Sequence, residues 1–169
     1  MNRDKLDHVD LIRAQWQKEM PELDVEALAV IGRVHRLSQA LFHIVHKPLF
    51  QKHDLQQPEF DVLAALLRSG HPYAKSPGEL LETLMITSGT MTNRIDRLEQ
   101  LALIKREVVL GDRRSIIIRL TAKGQEVIRR AVAEHVETES NFLAILSEKE
   151  RLEFSRILRK LLIQLESAG

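Results

Sequence analysis

The stretch Leu84-Met85-Ile86-Thr87-Ser88-Gly89-Thr90-Met91-Thr92-Asn93-Arg94-Ile95-Asp96-Arg97-Leu98-Glu99 decides the fold. Thr87 and Ser88 supply N-cap hydroxyls, and Met91, Ile95 and Leu98 follow at i, i+4 and i+7. The spacing predicts a helix with one apolar stripe and a polar remainder. Just upstream, Ser76-Pro77-Gly78-Glu79 is a capping box with proline at the first helical position, and it predicts a short helix ending near Leu84. Two short helices joined by a tight turn, the second keeping a polar face, form a candidate helix-turn-helix.

Beyond Leu103 the period changes. Residues 104–109 and 115–120 are β-branched runs flanking a turn, so they predict a hairpin whose tip holds Gly111, Asp112, Arg113 and Arg114. Elsewhere the pattern is helical. Leu6, Val9, Ile12 and Trp16 predict a helix over about 4–18, stopped by Pro21. Asp24 caps a long segment running towards Phe50, with an apolar stripe through Ile31, Val34, Leu41 and Ile44. Pro58 opens the next helix, whose buried face is Phe60, Leu63, Ala64 and Leu67 and which Gly70 ends. Thr121 caps one further helix. The Ser147…Glu150 box starts a last one that carries Leu152, Phe154, Ile157, Leu161 and Leu165.

Composition narrows the function. The 169 residues carry no cysteine, which excludes disulfides, thiolate metal sites and cysteine redox switching together. No apolar run approaches the roughly 20 residues of a membrane span, and the start lacks a signal-peptide core, so the expected location is the cytoplasm, on the nucleoid. Net charge is only +1, but it is unevenly spread: residues 1–30 hold 4 basic and 7 acidic side chains, residues 94–123 hold 8 basic and 4 acidic. A local positive excess suits a polyanion, because each neutralised phosphate releases condensed counterions.

The chemistry of the second short helix fits that partner. Thr87, Ser88, Thr90 and Thr92 offer hydroxyls to phosphate, Asn93 suits adenine, and Arg94 and Arg97 suit guanine or phosphate. Arg113 and Arg114 at the hairpin tip, oriented by Asp112, suit a narrow minor groove. The expected partner is double-stranded DNA.

Together these residues resemble the multiple-antibiotic-resistance regulator (MarR) family over residues 28–165. The most specific stretches are the one quoted first and Gly111-Asp112-Arg113-Arg114-Ser115, followed by Arg119-Leu120-Thr121-Ala122-Lys123-Gly124. Trp16 followed by Pro21-Glu22-Leu23-Asp24, and Phe60-Asp61-Val62-Leu63 with Arg68, resemble the urate-responsive, pectinase-repressor-like branch. The resemblance implies a mainly α protein with a small β-hairpin wing, a winged helix-turn-helix. Residues 1–50 and 122–169 would form a helical dimerisation region, and residues 51–121 the DNA-binding domain. It further implies a homodimeric regulator, a repressor that needs no cofactor, bound to a pseudo-palindromic site and released by a small anionic effector such as urate, a related purine or an aromatic acid. In that branch the ligand residues are a tryptophan, an aspartate and two arginines, which by position are Trp16, Asp61, Arg68 and Arg94. One departure stands out. Where the family commonly has glycine between the recognition helix and the first wing strand, this chain has Ala102, and a positive φ there would cost about 1 kcal/mol.

Other functions are weaker. A zinc-responsive regulator would use His35, His43 and His46, the last two spaced i, i+3 on one helix. An enzyme is not expected: Gly-x-Ser-x-Gly, the P-loop, the dinucleotide fingerprint and His-Glu-x-x-His are all missing from the sequence.

Overall fold

The computed structural model describes residues 5–84, 88–109 and 112–167, with the main chain alone at 88–90, 109 and 112–114. The chain divides into two compact units, Met1–Lys52 and His53–Gly169.

In the first unit α1 (His8–Glu19) starts later than its apolar period suggests, because Asp7 is the cap: its carboxylate accepts the Val9 and Asp10 N–H groups, and Asp10 accepts the Asp7 N–H in return. Arg33 of α2 (Glu26–Ala40) reaches Asp7 at 2.8 Å and Asp10 at 2.6 Å, which ties the two helices together. That guanidinium also holds the Asp7 carboxyl below the usual carboxylate range. The cap of α2 is Val25, which makes no side-chain cap bond, rather than the expected Asp24, whose carboxylate accepts the Glu26 N–H from one residue before the cap. The long helix read from the sequence is not uniform. It passes from α2 into a π-helical stretch, Leu41–His46, before α3 (Lys47–Lys52).

In the second unit α4 (Gln57–Arg68) is the central element. Phe60, Leu63 and Ala64 are buried as expected, and Val62, Ala65 and Leu66 are buried as well, so the helix is enclosed on most sides rather than along one stripe. Gly70, at φ +75°, lets the chain turn away in the left-handed region. A two-residue strand β1 (Ala74–Lys75) leads into α5 (Pro77–Leu84), whose Ser76 and Glu79 exchange the two capping-box bonds. Then come α6 (Ser88–Gln100), β2 (Ile104–Val109) and β3 (Asp112–Leu120). The antiparallel sheet has the order β1-β3-β2, with Ala74 opposite Arg119, Ile104 opposite Leu120 and Val108 opposite Ile116. The hairpin is therefore as expected. β1 is an addition, and β3 begins at Asp112, three residues before the β-branched run.

Two tight spots join this hairpin to its neighbours. Ala102 sits at φ +56°, the left-handed conformation that a family glycine would adopt without strain. Thr121 caps α7 (Ala122–Phe142) by accepting the Gly124 N–H at 2.9 Å, and its hydroxyl donates to the Ala102 carbonyl at 2.8 Å. A Cβ on Gly124 would lie 1.9 Å from the Leu103 carbonyl oxygen, so only glycine fits this crossing. After a short 3-10 turn, Leu143–Ile145, the chain ends in α8 (Glu148–Glu166), started by the Ser147 and Glu150 box. Among the described residues no helix is long and apolar enough to cross a membrane.

Candidate nucleic-acid interface

The α6 helix is docked by its apolar stripe. Met91, Ile95 and Leu98 are buried, while Thr92 and Asn93 are exposed and available to a partner. Thr87 lies outside the described residues. Ser88 and Thr90 fall in the first turn of α6, and Asp112, Arg113 and Arg114 open β3, each with the main chain alone described.

Behind that exposed face, α6 is held by ion pairs that sequence reading did not find. Arg106 of β2 is clamped by two α6 carboxylates, Asp96 and Glu99, and Glu99 also accepts the Arg106 main-chain N–H at 3.0 Å. The wing strand and the second helix of the motif are thereby fastened to each other. On the opposite side Arg97 places its Nε 2.5 Å from Glu59, a residue of α4 whose side chain is only 4% exposed. The other Glu59 oxygen accepts the Gln56 N–H at 2.7 Å and closes the first turn of α4. The Gln56…Glu59 spacing was a visible signal for that capping role. The pairing with Arg97 was not, because it joins residues far apart in sequence.

The arginines expected to act together behave differently. Arg94 is half-buried, and its Nε is sealed from solvent with no hydrogen-bond partner among the described residues. Its charge acts on Asp61 of α4, as do those of Arg68 and His135. Burial is nevertheless the larger influence and pushes the Asp61 carboxyl above its ordinary value. His135, on α7, stacks obliquely on Phe60 with ring centroids 5.2 Å apart and pairs with Glu139 at 3.2 Å. It is a member of this cluster that the sequence reading missed. Asp61, Arg68 and Arg94 are thus gathered within the second unit. Trp16 belongs to the first unit, on α1, with 43% of its surface exposed. Such a set, a desolvated carboxylate beside cations with an unused N–H donor, is suited to an anion that also offers N–H groups.

The histidines considered for zinc lie in the first unit. His35 and His43 are exposed, and His43 and His46 both fall in the π-helical stretch, so the α-helical face assumed for their i, i+3 spacing is not the one present. His43 meets the Phe42 ring edge-on at 5.0 Å, and His46 tilts against Phe50 at 6.0 Å.

Residues 53–115 match the family described as the MarR family. The HTH-type transcriptional regulator PecS of Dickeya dadantii (strain 3937) is 44% identical over 144 residues, covering 85% of this chain and 86% of that protein. The chain belongs to the MarR family. Its identity to PecS places this MarR protein in the PecS-like branch. A MarR family protein from Bacillus stearothermophilus has the same fold, with a TM-score of 0.67 and 25% identity, covering 85% of this chain and 99% of that one. A cysteine-to-serine variant of MarR from Escherichia coli, solved in complex with operator DNA, superposes with a TM-score of 0.67 at 19% identity, covering 87% of this chain and 97% of that one. The MarR protein described here is a winged helix-turn-helix transcriptional regulator that binds DNA, and not an enzyme.

Proposed function

We propose that this regulator is a repressor that works as a homodimer and is released from its operator by a small anionic purine or aromatic acid such as urate. In this reading α6 enters the major groove with Thr87, Ser88, Thr90, Thr92, Asn93, Arg94 and Arg97, and the wing brings Asp112, Arg113 and Arg114 to the flanking minor groove. Twofold symmetry sets the two α6 helices about one helical turn (~34 Å) apart on a pseudo-palindromic site. Residues 1–50 and 122–169 supply the dimer contacts, and residues 51–121 meet DNA. Exposed apolar side chains support the assembly: Leu152 and Leu165 on α8 and Ile31 on α2 are each at least 60% exposed in the single chain, an expensive arrangement without a covering partner.

The observation that carries the effector half is the position of Arg94. It lies on the helix assigned here to DNA, yet its Nε is buried without an acceptor among the described residues, and its charge falls on Asp61. An anion held by Trp16, Asp61, Arg68 and Arg94 would supply that acceptor and move α6, provided it binds the DNA-free form more tightly than the DNA-bound form. The test is a DNA mobility shift on the chain's own upstream region, titrated with urate, xanthine and salicylate. Release by one of them is expected, with Arg94→Ala needing at least about tenfold more ligand. Release of Arg94→Ala at unchanged potency would sink the coupling.

A further inference from the structure

We infer that Glu59 is a positioning residue for DNA binding, holding the Arg97 guanidinium in place to meet a phosphate; this rests on reading α6 as the DNA-contacting helix. The two side chains divide the surroundings unequally. Glu59 is 4% exposed and Arg97 is 51% exposed, with Nε 2.5 Å from the carboxylate. A carboxylate so far from water needs a fixed partner, and the second oxygen is already committed to the Gln56 N–H at 2.7 Å. Glu59 is therefore immobile, and whatever it holds inherits that immobility.

A guanidinium carries five N–H donors in a rigid fork. With Nε spent on Glu59, donors remain on a side chain that is still half in solvent. Arg97 is thus pre-ordered at the surface, one turn on from the exposed Asn93 of the same helix, without the rotamer loss that a free arginine suffers on meeting a phosphate. Lysine is a poor substitute, since its ammonium is a compact charge on a flexible stem and lacks the planar fork that serves Glu59 through Nε and leaves separate N–H groups aimed outward.

The experiment measures affinity of the full-length chain for its own upstream duplex across a salt series, by fluorescence anisotropy. Glu59→Gln keeps an acceptor for the Gln56 N–H, so the start of α4 survives while the charge pairing is lost. Glu59→Gln, Arg97→Gln and Arg97→Lys are each expected to weaken binding about tenfold and to lower the slope of log affinity against log salt by about one per protomer. The double variant Glu59→Gln/Arg97→Gln is expected to lose no more than either single change. A wild-type slope in Glu59→Gln would make Glu59 merely structural and overturn the inference. So would a wild-type slope in Arg97→Lys, which decides the matter alone if Glu59→Gln does not fold. A native chain that ignores duplex DNA in dilute buffer would instead overturn the reading of α6 itself.

Discussion

Glu99 accepts both the main-chain N–H and the guanidinium of Arg106, so the second helix of the motif and the first wing strand are cross-linked at backbone and side chain together. Asp96 grips the same guanidinium from one turn earlier. Because Arg106 is partly solvated, breaking this clamp should cost the fold less than about 1 kcal/mol, but it should free the wing to swing. Arg106→Met is expected to speed amide exchange along β2 and β3 and to weaken DNA binding about tenfold, with the melting temperature nearly unchanged. Unaltered wing exchange would show that the hairpin is positioned by its core side chains alone.

Asp61 gives a prediction about pH. Burial raises its carboxyl above the ordinary value, and Arg94, Arg68 and His135 pull it back only in part. A carboxyl raised in the folded state keeps its proton more tightly there than in the unfolded chain. Its contribution to stability is complete below the unfolded value of 3.8 and is lost as pH rises through the folded one. Asp61→Asn, which mimics the protonated form, should therefore melt above the native chain at about pH 7, and the gap should close on acidification towards about pH 4. A variant that melts lower at neutral pH would mean that the ionised carboxylate is a net stabiliser.

Ala102 at φ +56° predicts a gain from a change that removes atoms. Ala102→Gly relieves the left-handed strain while adding some freedom to the unfolded chain, and should stabilise by about 1 kcal/mol, or about 2–4 °C in melting temperature for a chain of this size. Equal or lower stability in urea titration would place the strain elsewhere.

Gly124 predicts the opposite. A methyl group there would sit 1.9 Å from the Leu103 carbonyl oxygen, a main-chain atom that cannot rotate away. Gly124→Ala should lose more than about 3 kcal/mol in urea unfolding, because the first turn of α7 must lift off the strand entry. A loss below about 1 kcal/mol would show that the crossing is loose.

What the sequence made legible was local. The Ser76 and Ser147 boxes are correct because a hydroxyl and a carboxylate three residues apart need no distant partner, and the Thr121 cap because its hydroxyl accepts the Gly124 N–H three residues on. The hairpin is correct because β-branched runs flank a short turn. The α6 stripe is correct because Met91, Ile95 and Leu98 were spaced for one face. What stayed hidden was long-range. β1 is two residues long and exists only through Arg119 and Ile118. Glu59 looked like any first-turn acidic residue until Arg97 arrived from another helix. Around Asp61 the resemblance implied Arg68 and Arg94, but His135 enters from α7, and no spacing along the chain announces it.

The π-helical stretch Leu41–His46 has a bearing on how relatives should be aligned. A wider turn accommodates roughly one residue more than α-helical winding would over the same arc, so every position after it is rotated by about 100° from where a regular wheel would put it. Deleting a single residue within 41–46 would restore ordinary winding and leave the flanking faces in register, whereas the same deletion inside 26–40 would swing Lys47–Lys52 round the axis. One-residue gaps should therefore be tolerated at this bulge and rejected on its N-terminal side.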